Sequence, residues 1–355
     1  MPSFKGRRWK LLGLSVVIIF VLTCFTILCL LSTVFLMGFA LNIQTVKASG
    51  TIHIRADGSV EGTDKIQRDG DIYTFTDNIY REIVVQRSNI IIDGNRYTQQ
   101  GTRAYGSEGI YLSDINNVTI KNTNIMEFDD GLYLNSSSNN AIFGNNITNN
   151  RWCGILLDKS SNNTISGNNV TVREVTNGEA GIVIAHSSNN TLSGNNIRNS
   201  YSGIDFYMGA SNNIIVENNV TNNLYGIRLM GVSSNNSIYH NNFVNDKLQA
   251  WASLMNAWDN GVEGNYWNDY TGDDQDGDGI GDAPYVIDKI GQDNYPLINS
   301  WVPPQVGEGV PFWAQWWLWV IVAMVIIMSA GAVSLKKKRP TPSLPPPSES
   351  VEQSE

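Results

Sequence analysis

The sequence has 355 residues, enough for one large domain with attached segments, and it carries 33 acidic and 24 basic side chains. Nine of the basic side chains but only three of the acidic ones lie near the termini, so the central region is strongly acidic. An acidic surface repels nucleic acid, and we therefore expect no nucleic-acid partner.

The N-terminal residues predict a membrane anchor. Residues 1–10 are basic and would be cytoplasmic, and residues 11–41 follow without a charged side chain. This apolar run exceeds the ~20 residues that cross a bilayer, whereas the apolar core of a cleaved signal has about 7–15 residues. The sequence therefore predicts an N-terminal transmembrane anchor, with a long signal cleaved near Ala48 as the alternative.

A repeat fills the region from about residue 89 to residue 245. Its unit reads Ser-Asn-Asn, an apolar segment, Asn-Asn, a second apolar pair and Gly-Ile-x-Leu, in steps of 23, 23, 27, 23 and 23 residues. Short alternating runs separated by Asn, Gly and Ser indicate three strands per unit. Leucine-rich repeats of this length would need a Leu-x-x-Leu-x-Leu pattern. We therefore predict an all-β fold, a parallel β-helix with its N-terminal cap over residues 50–262.

Stacked coils would align equivalent side chains along the solenoid. The apolar residues after each glycine should point inward and form ladders that no single coil could support. The second asparagine of each first doublet should form a ladder of side-chain amides, because Asn tolerates left-handed turns and bonds to the Asn above and below it. These asparagines are Asn117, Asn140, Asn163, Asn190, Asn213 and Asn236.

The C-terminal part predicts a cap and a second membrane segment. Residues 263–305 are rich in aromatic side chains and contain an acidic loop. Residues 313–335 form an apolar run that begins among tryptophans and ends at four basic residues, as in a transmembrane helix. Residues 336–355 predict a disordered tail. Since positive charge lies at the terminal side of both apolar runs, both termini should be cytoplasmic and the β-helix should lie outside the cell membrane.

Three stretches outside the repeat carry a resemblance to a known family. Residues 51–60 read TIHIRADGSV, and residues 264–270 and 282–285 read GNYWNDY and DAPY. With the Ser-Asn-Asn coils, they resemble the NosD-like right-handed parallel β-helix proteins, in the style of archaeal cell-surface members. The resemblance covers about residues 50–300 and implies a right-handed β-helix. For the named family it also implies copper delivery to nitrous oxide reductase, and for the wider clan it implies carbohydrate binding or sugar hydrolysis.

The residues that could bind copper are scattered. Copper sites need clustered Cys, Met or His, but His53, His186 and His240 fall in different coils, and no spaced motif joins them to Cys153. We therefore expect no copper site.

Aromatic and hydrogen-bonding side chains recur on one predicted outer side of the solenoid. They stand between the two inward residues of the Gly-apolar-x-apolar phrase or just before its glycine. The predicted ligand-binding set is Tyr111, Tyr133, Trp152, Tyr201, Asp205, Tyr225 and Arg228. Flat rings beside polar groups suit stacking against pyranose rings, and a long groove suits a polymer. The alternative is that Tyr and Trp simply cover strand surface, as they often do in β proteins.

An enzymatic alternative would use carboxylates on the same side. Asp129 and Glu179 both stand two residues before a repeat glycine, two coils apart, which corresponds to about 9–10 Å at a strand spacing of about 4.8 Å. That separation is near the upper limit for an inverting glycosidase. Asp129, Glu179 and Asp205 are the catalytic candidates, and solvated acids on an acidic surface are the default interpretation.

The acidic loop of the cap has the spacing of a calcium ligand set. Carboxylates alternate along it and Gly279 permits a sharp turn, as in the first half of an EF-hand loop. The predicted ligands are Asp274, Asp276, Asp278, the Ile280 carbonyl and Asp282. Tyr285 stands where an EF-hand has its bidentate Glu. The sequence predicts a structural Ca²⁺, with an acidic solvent-exposed loop as the alternative.

Eight Asn-x-Ser/Thr sequons could carry glycans outside the cell. They begin at Asn117, Asn135, Asn146, Asn162, Asn169, Asn189, Asn219 and Asn235. Most of them coincide with the doublets, where we expect burial. Asn135, which we expect in a loop, is therefore the glycosylation candidate.

Three functions fit the sequence. The favoured one is a membrane-anchored, non-enzymatic surface protein whose β-helix binds polysaccharide or neighbouring envelope components. The second is a carbohydrate-active enzyme, a glycoside hydrolase or a lyase, on the same face. The third is a NosD-like accessory factor for a transporter or a copper enzyme.

Overall fold

The computed structural model describes residues 50–172, 178–289 and 291–303. Nearly all of them belong to one compact unit that ends at Trp301. The predicted basic segment, both predicted transmembrane segments and the predicted tail lie outside the described residues. Within the described ranges, no helix has the length and apolar character needed to cross a membrane.

Short strands account for all the regular structure of the described residues. In chain order the strands are β1 (Ile52–Ile54), β2 (Val60–Glu61), β3 (Ile66–Asp69), β4 (Ile72–Phe75), β5 (Ile83–Val85), β6 (Ile90–Asp93), β7 (Thr98–Gln100), β8 (Glu108–Ser113), β9 (Val118–Lys121), β10 (Asn124–Met126), β11 (Asp130–Asn135), β12 (Ala141–Phe143), β13 (Asn146–Asn150), β14 (Cys153–Asp158), β15 (Thr164–Ser166), β16 (Asn169–Val172), β17 (Ala180–Ala185), β18 (Thr191–Ser193), β19 (Asn196–Arg198), β20 (Ser202–Tyr207), β21 (Ile214–Val216), β22 (Asn219–Thr221), β23 (Tyr225–Leu229), β24 (Ser237–Tyr239), β25 (Asn242–Val244), β26 (Leu248–Ala252), β27 (Tyr266–Trp267), β28 (Tyr285–Val286) and β29 (Gln292–Asp293).

Three long sheets form the walls of a solenoid. Sheet A runs β2-β1-β5-β8-β11-β14-β17-β20-β23-β26, sheet B runs β3-β4-β6-β9-β12-β15-β18-β21-β24, and sheet C runs β7-β10-β13-β16-β19-β22-β25-β27. Each interior strand pairs in parallel with its equivalent one coil away, whereas β1 with β2 and β3 with β4 pair antiparallel at the N-terminal end. The predicted parallel β-helix is confirmed, with about eight coils and a period of about 23 residues.

One apolar column from each wall fills the interior. In one coil Leu132 comes from sheet A, Ile142 from sheet B and Ile147 from sheet C, and all three are fully buried. The equivalent positions of neighbouring coils are also buried, as the repeat predicts. Burying an aliphatic side chain of this size contributes about 1.5–3 kcal/mol, so these columns are the main stabilising element of the fold.

A glycine stands near the start of each sheet A strand from β8 to β23 because the coils approach closely there. A Cβ atom on Gly131 would lie 2.6 Å from the carbonyl oxygen of Gly154 and 2.6 Å from Cγ2 of Ile147. Both distances are shorter than any normal contact of a Cβ atom. The repeat glycine is therefore required by backbone packing.

Buried asparagines form ladders along the turns. The backbone N–H and Nδ2 of Asn163 both donate to Oδ1 of Asn190, at 2.8 and 3.1 Å, and Asn190 donates in the same way to Asn213. In a shorter ladder Asn223 donates to the Asp246 carboxylate. A further ladder runs through Asn145, Asn168, Asn195, Asn218, Asn241 and Asn265 to the Asp293 carboxylate. These side chains satisfy turn N–H groups that stacking removes from water, which confirms their predicted structural role.

The assignment of Asn117 to the first ladder is wrong. Val118 occupies the ladder position and donates its N–H to Oδ1 of Asn140 at 2.8 Å. Asn117 is equivalent to the exposed Asn139, and the two have left-handed φ values of 57° and 60°. This coil is one residue shorter than the next, so counting from doublet to doublet shifts the register by one position.

Aromatic side chains close the C-terminal end of the stack. Trp267 stacks on Phe243 and on Tyr285, with ring centroids 4.6 and 4.4 Å apart, and Trp258 is buried beside it. Trp251 lies outside this closure, exposed on the outer side of sheet A. The closure therefore depends on Trp258 and Trp267.

Candidate functional site

The outer face of sheet A presents its side chains in columns. The pairing of neighbouring strands aligns one column of outward residues across seven coils. Its members are Tyr111, Tyr133, Leu156, Val183, Asp205, Arg228 and Trp251. At about 4.8 Å per coil, the distance from Tyr111 to Arg228 is about 24 Å. The repeat therefore builds an extended surface rather than a single pocket.

Two tyrosines form the N-terminal part of this column. The ring centroids of Tyr111 and Tyr133 are 5.2 Å apart, and Nδ2 of Asn135 donates to the Tyr111 hydroxyl at 3.3 Å. Partial burial, and then the nearby Asp158, raise the pKa of Tyr133. Both tyrosines are half-buried. They form a neutral aromatic surface, which we call the Tyr111–Tyr133 platform.

Carboxyl groups cluster beside the Tyr111–Tyr133 platform. Asp130 and Glu108 are direct partners on adjacent strands. Burial, and then the charges of Asp129 and Glu108, raise the pKa of Asp130 to about 7. Burial also raises the pKa values of Glu82 and Glu108. Near neutral pH, Asp130 therefore holds a proton for a large part of the time, unlike a solvated carboxyl group.

The structure separates the two members of the Asp129–Asp130 doublet. The Asp129 carboxylate accepts a hydrogen bond from the Gly106 N–H at 2.7 Å and lies 3.5 Å from Arg151. Asp130 faces outward from β11 and accepts a hydrogen bond from the Cys153 N–H at 3.2 Å. Sequence reasoning missed Asp130, because its outward position depends on the residue at which β11 begins. The pairing with Glu108 is the signal that identifies it.

Trp152 occupies the coil between Asp129 and Glu179. The backbone N–H of Trp152 donates to the backbone carbonyl of Asp129 at 2.8 Å, and the backbone carbonyl of Trp152 accepts the Ala180 N–H at 3.0 Å. This register agrees with the predicted two-coil separation of the two acids. The indole is 49% exposed, so an aromatic side chain faces solvent in the coil between them.

An apolar cluster divides the outer face of sheet A. Cys153, Ala180 and Val183 are buried there, and Leu156 and Tyr207 pack against them. Burial, and then the charge of Asp130, raise the pKa of the Cys153 thiol well above its usual value. A buried, protonated thiol is a poor nucleophile and a poor metal ligand, so Cys153 has a packing role here.

An ion pair organises the C-terminal part of the column. Arg228 donates to both carboxylate oxygens of Asp205, through Nε at 3.2 Å and through Nη2, which also donates to the Tyr207 hydroxyl at 2.9 Å. Its guanidinium lies 5.3 Å from the ring centroid of Tyr201 and 5.4 Å from that of Tyr225. Burial raises the pKa of Asp205, although the hydrogen bonds from Arg228 oppose this shift. We call these five residues the Arg228 cluster.

The predicted ligand-binding residues therefore lie in two groups, with Trp152 between them. The side chain of Asp205 is 1% exposed and is paired with Arg228, so it holds the cluster together and does not face solvent as a free acid. Tyr207 is a member that sequence reasoning missed. It stands two residues after Asp205, and the period-two alternation of a strand could have identified it.

A cavity of about 260 Å³ lies near the N-terminal end of sheet A. It is lined by Gly50, Thr51, Tyr80, Arg81, Glu82, Gly101, Thr102, Ala104, Ser107 and Phe128. Glu82 also influences the titration of Glu108. The cavity and the acids beside the Tyr111–Tyr133 platform thus share one carboxyl group.

The acidic loop of the cap brings three predicted metal ligands together. Carboxylate oxygens of Asp274, Asp276 and Asp278 lie within 4.8 Å of one another. Asp282 instead accepts a hydrogen bond from the Gln275 N–H at 3.0 Å, and Ile280 forms an isolated bridge to Leu297. Three carboxylates at this spacing offer the oxygen ligands that Ca²⁺ prefers.

The three histidines have separate surroundings. His186 Nδ1 lies 2.9 Å from Asp158, and His240 Nε2 lies 2.8 Å from Glu263. His53 belongs to β1 at the opposite end of sheet A from β26. Among the described residues, no His or Cys belongs to a group of three potential metal ligands.

Asn135 is the last residue of β11, so the expectation that it lies in a loop is wrong. Its side chain is half-buried and donates to Tyr111. The sequon asparagines Asn162, Asn189 and Asn235 were expected at buried ladder positions. They are the exposed first members of their doublets, because the buried ladder uses the second member.

Comparisons with known proteins agree with the repeat architecture. A family model described as right handed beta helix region matches residues 59–175, and one described as periplasmic copper-binding protein (NosD) matches residues 151–272. No curated protein matches the chain.

Solved structures give more distant likenesses. Tailspike protein 2 of Escherichia coli O157:H7 bacteriophage CAB120 is 14% identical over 54% of this chain, with a TM-score of 0.38, and the chain spans 35% of its length. The mannuronan C-5 epimerase AlgE4 A-module of Azotobacter vinelandii is 15% identical over 54% of this chain and 67% of its own, with a TM-score of 0.20.

The two family models overlap in the central coils, and between them they span the region from the first coils to the C-terminal cap. The structure of that region is a parallel β-helix whose three sheets continue from coil to coil. The chain is a NosD-like, right-handed parallel β-helix repeat protein.

Proposed function

We propose that this protein is a membrane-anchored, extracytoplasmic β-helix that binds polysaccharide or a neighbouring envelope component without altering it chemically. The outer face of sheet A is the proposed binding surface. The observation that carries the proposal is that tyrosines at both ends of this face are held by neighbouring groups, Tyr111 by Asn135 and Tyr207 by Arg228.

Fixed aromatic rings suit a sugar polymer for two reasons. A ring already held in place loses little conformational freedom on binding, and its apolar face can stack while its hydroxyl hydrogen-bonds. The ~24 Å between Tyr111 and Arg228 also exceeds the length of a single sugar. The acids Glu82, Glu108 and Asp130 would repel a polyanion, so we propose a neutral or weakly charged polymer.

Membrane anchoring and a structural cation complete the proposal. The apolar runs at 11–41 and 313–335 and their flanking basic residues support two membrane anchors with the β-helix outside the cell. The three carboxylates of Asp274, Asp276 and Asp278 repel one another at close range, which supports a bound Ca²⁺ that stabilises the cap.

A glycan array with the full-length protein in lipid nanodiscs tests the binding surface. We expect binding to a polysaccharide to weaken at least tenfold in Tyr133→Ala. Phe143→Ala, which removes an exposed aromatic ring on sheet B, is the matched control and should bind like the unaltered protein. Equal losses in both variants would contradict the proposed surface, and no binding to any glycan would overturn polysaccharide as the ligand.

A carbohydrate-active enzyme on the same face is the second candidate. Asp130 and Glu108 are one coil apart, about 4.8 Å between their backbones, and the pKa of Asp130 is raised to about 7. Retaining glycosidases use two carboxyl groups about 5–5.5 Å apart, one of them protonated near neutral pH. Shortened glycans after incubation with the unaltered protein, but not with Asp130→Asn, would favour this candidate over simple binding.

A further inference from the structure

One corner of the solenoid repeats the same exposed asparagine. It lies just before the six sheet B strands β9, β12, β15, β18, β21 and β24, where the first asparagine of a doublet has left-handed φ between 57° and 60° and an exposed side chain. The corner residues are Asn117, Asn139, Asn162, Asn189, Asn212 and Asn235. Asn suits this position because its side chain tolerates the left-handed region, so the fold alone explains the asparagine.

The residue two positions further on is not explained by the fold. In the strand register it forms the column Thr119, Ala141, Thr164, Thr191, Ile214 and Ser237. Ala141 and Ile214 show that the strand accepts a side chain without a hydroxyl there. Four of the six corners nevertheless carry the hydroxyl and therefore a complete sequon.

The remaining sequons have different surroundings. Asn146, Asn169 and Asn219 are the first residues of sheet C strands, and the Asn169 amide donates to Asn146 at 2.6 Å. Asn135 is half-buried against Tyr111. The corner amides also bond between coils, since Nδ2 of Asn117 donates to Asn89 at 2.9 Å and Nδ2 of Asn235 donates to Asn212. The corner sequons are distinct in their backbone, because each asparagine is exposed at a left-handed turn before its strand.

We propose that Asn117, Asn162, Asn189 and Asn235 are N-glycosylated, which rests on the extracytoplasmic placement proposed above. The donor is an oligosaccharide linked to a polyprenyl phosphate. Transfer forms a bond between C1 of the first sugar and Nδ2 of the asparagine and breaks the bond between C1 and a phosphate oxygen. One amide proton is lost to the released phosphate, and nothing is oxidised or reduced. The glycans would line one edge of the solenoid.

Glycopeptide mass spectrometry of the full-length protein from the membranes of the cells that make it tests this proposal. We expect glycans on the four corner sequons and none on Asn139 or Asn212, which share the corner but lack the hydroxyl. Thr191→Ala should remove only the glycan of Asn189. Ala141→Thr, a change on the outer side of sheet B, should add one to Asn139.

Protease treatment of the intact cells separates the possible failures. An accessible β-helix without corner glycans overturns the glycosylation alone, whereas an inaccessible β-helix overturns the extracytoplasmic placement and the glycosylation together. A glycan on Asn139 of the unaltered protein would show that the sequon geometry does not determine the modified positions, and this result also overturns the proposal.

Discussion

Asp130 and Glu108 lie opposite each other on neighbouring strands of sheet A, so two carboxyl groups share the outer face one coil apart. The pKa of Asp130 rises to about 7 through burial and the charges of Asp129 and Glu108. The cost of ionising Asp130 makes stability depend on pH.

Stability should fall as the pH rises from about 4 to about 7. The folded state keeps the Asp130 proton up to about pH 7, whereas the unfolded chain releases it near pH 4, so the folded state binds more protons in this window. Asp246 and Asp293, with pKa values raised to about 7 and about 6, act in the same direction. Denaturant unfolding at pH 5 and pH 8 measures the effect.

Asp130→Asn should reduce the dependence of the unfolding free energy on pH. Removing the ionisable group should raise the unfolding free energy at pH 8 by on the order of 2–4 kcal/mol, since each pKa unit corresponds to about 1.4 kcal/mol. Asp114→Asn, a change at an exposed corner, is the control and should leave the profile unchanged. Identical profiles for Asp130→Asn and the unaltered protein would contradict the prediction.

Arg228→Ala should destabilise the protein by about 3–5 kcal/mol. The substitution leaves the buried Asp205 carboxylate without its cationic partner, and an unpaired buried charge is costly. Arg198→Ala removes an exposed arginine from sheet C and should change stability by less than about 0.5 kcal/mol. Adding Asp205→Asn to Arg228→Ala should recover part of the loss, and a full additive loss in the double variant would argue against the ion pair.

Asn190→Ala should cost about 1–3 kcal/mol in unfolding free energy. It removes the oxygen that accepts both amide groups of Asn163, and these donors are buried away from water. Ser193→Ala, on the outer side of the following strand, is the matched control. A thermal melt of each variant provides the comparison, and equal midpoints would rule out an energetic role for the ladder.

Calcium should raise the melting temperature of the cap. At a free concentration 100 times its dissociation constant, a bound ion stabilises the folded state by about 2.7 kcal/mol. EDTA should therefore lower the midpoint of the unaltered protein but not that of Asp276→Asn, which removes one of the three clustered carboxylates. An EDTA-insensitive midpoint in the unaltered protein would eliminate the site.

The period of the sequence was sufficient to predict the coil, the inward columns and the amide ladders. In a solenoid, residues one period apart lie above one another, so Leu132 and Ile155 become neighbours without any knowledge of tertiary structure. The outward columns follow from the same register. The proximity of Asp205 and Arg228 in neighbouring coils is therefore accessible from the sequence, although the burial of Asp205 in their ion pair is not.

The predictions from the sequence were wrong where a shift of one residue decides whether a side chain is buried or exposed. Asp130 rather than Asp129 faces outward because β11 begins at Asp130. Asn117 lies outside the ladder because its coil is one residue shorter than the next. Since side chains alternate with a period of two along a strand, a one-residue uncertainty in strand ends or coil length exchanges a buried side chain for an exposed one.

The ladder that ends at Asp293 runs in one direction from Asn145 through the central coils to the C-terminal cap. The backbone N–H and Nδ2 of each interior asparagine donate to Oδ1 of the next asparagine on the C-terminal side, and Nδ2 also donates to a carbonyl of the preceding coil. Every interior coil therefore forms the same hydrogen bonds with its two neighbours. Only the last hydrogen bond of the ladder differs. Its acceptor is the Asp293 carboxylate, which has no side-chain N–H to donate to a further residue. Whole coils can therefore be inserted or deleted in the middle of the solenoid. Such a change alters the length of the solenoid, while both caps keep the same hydrogen bonds to the coils next to them.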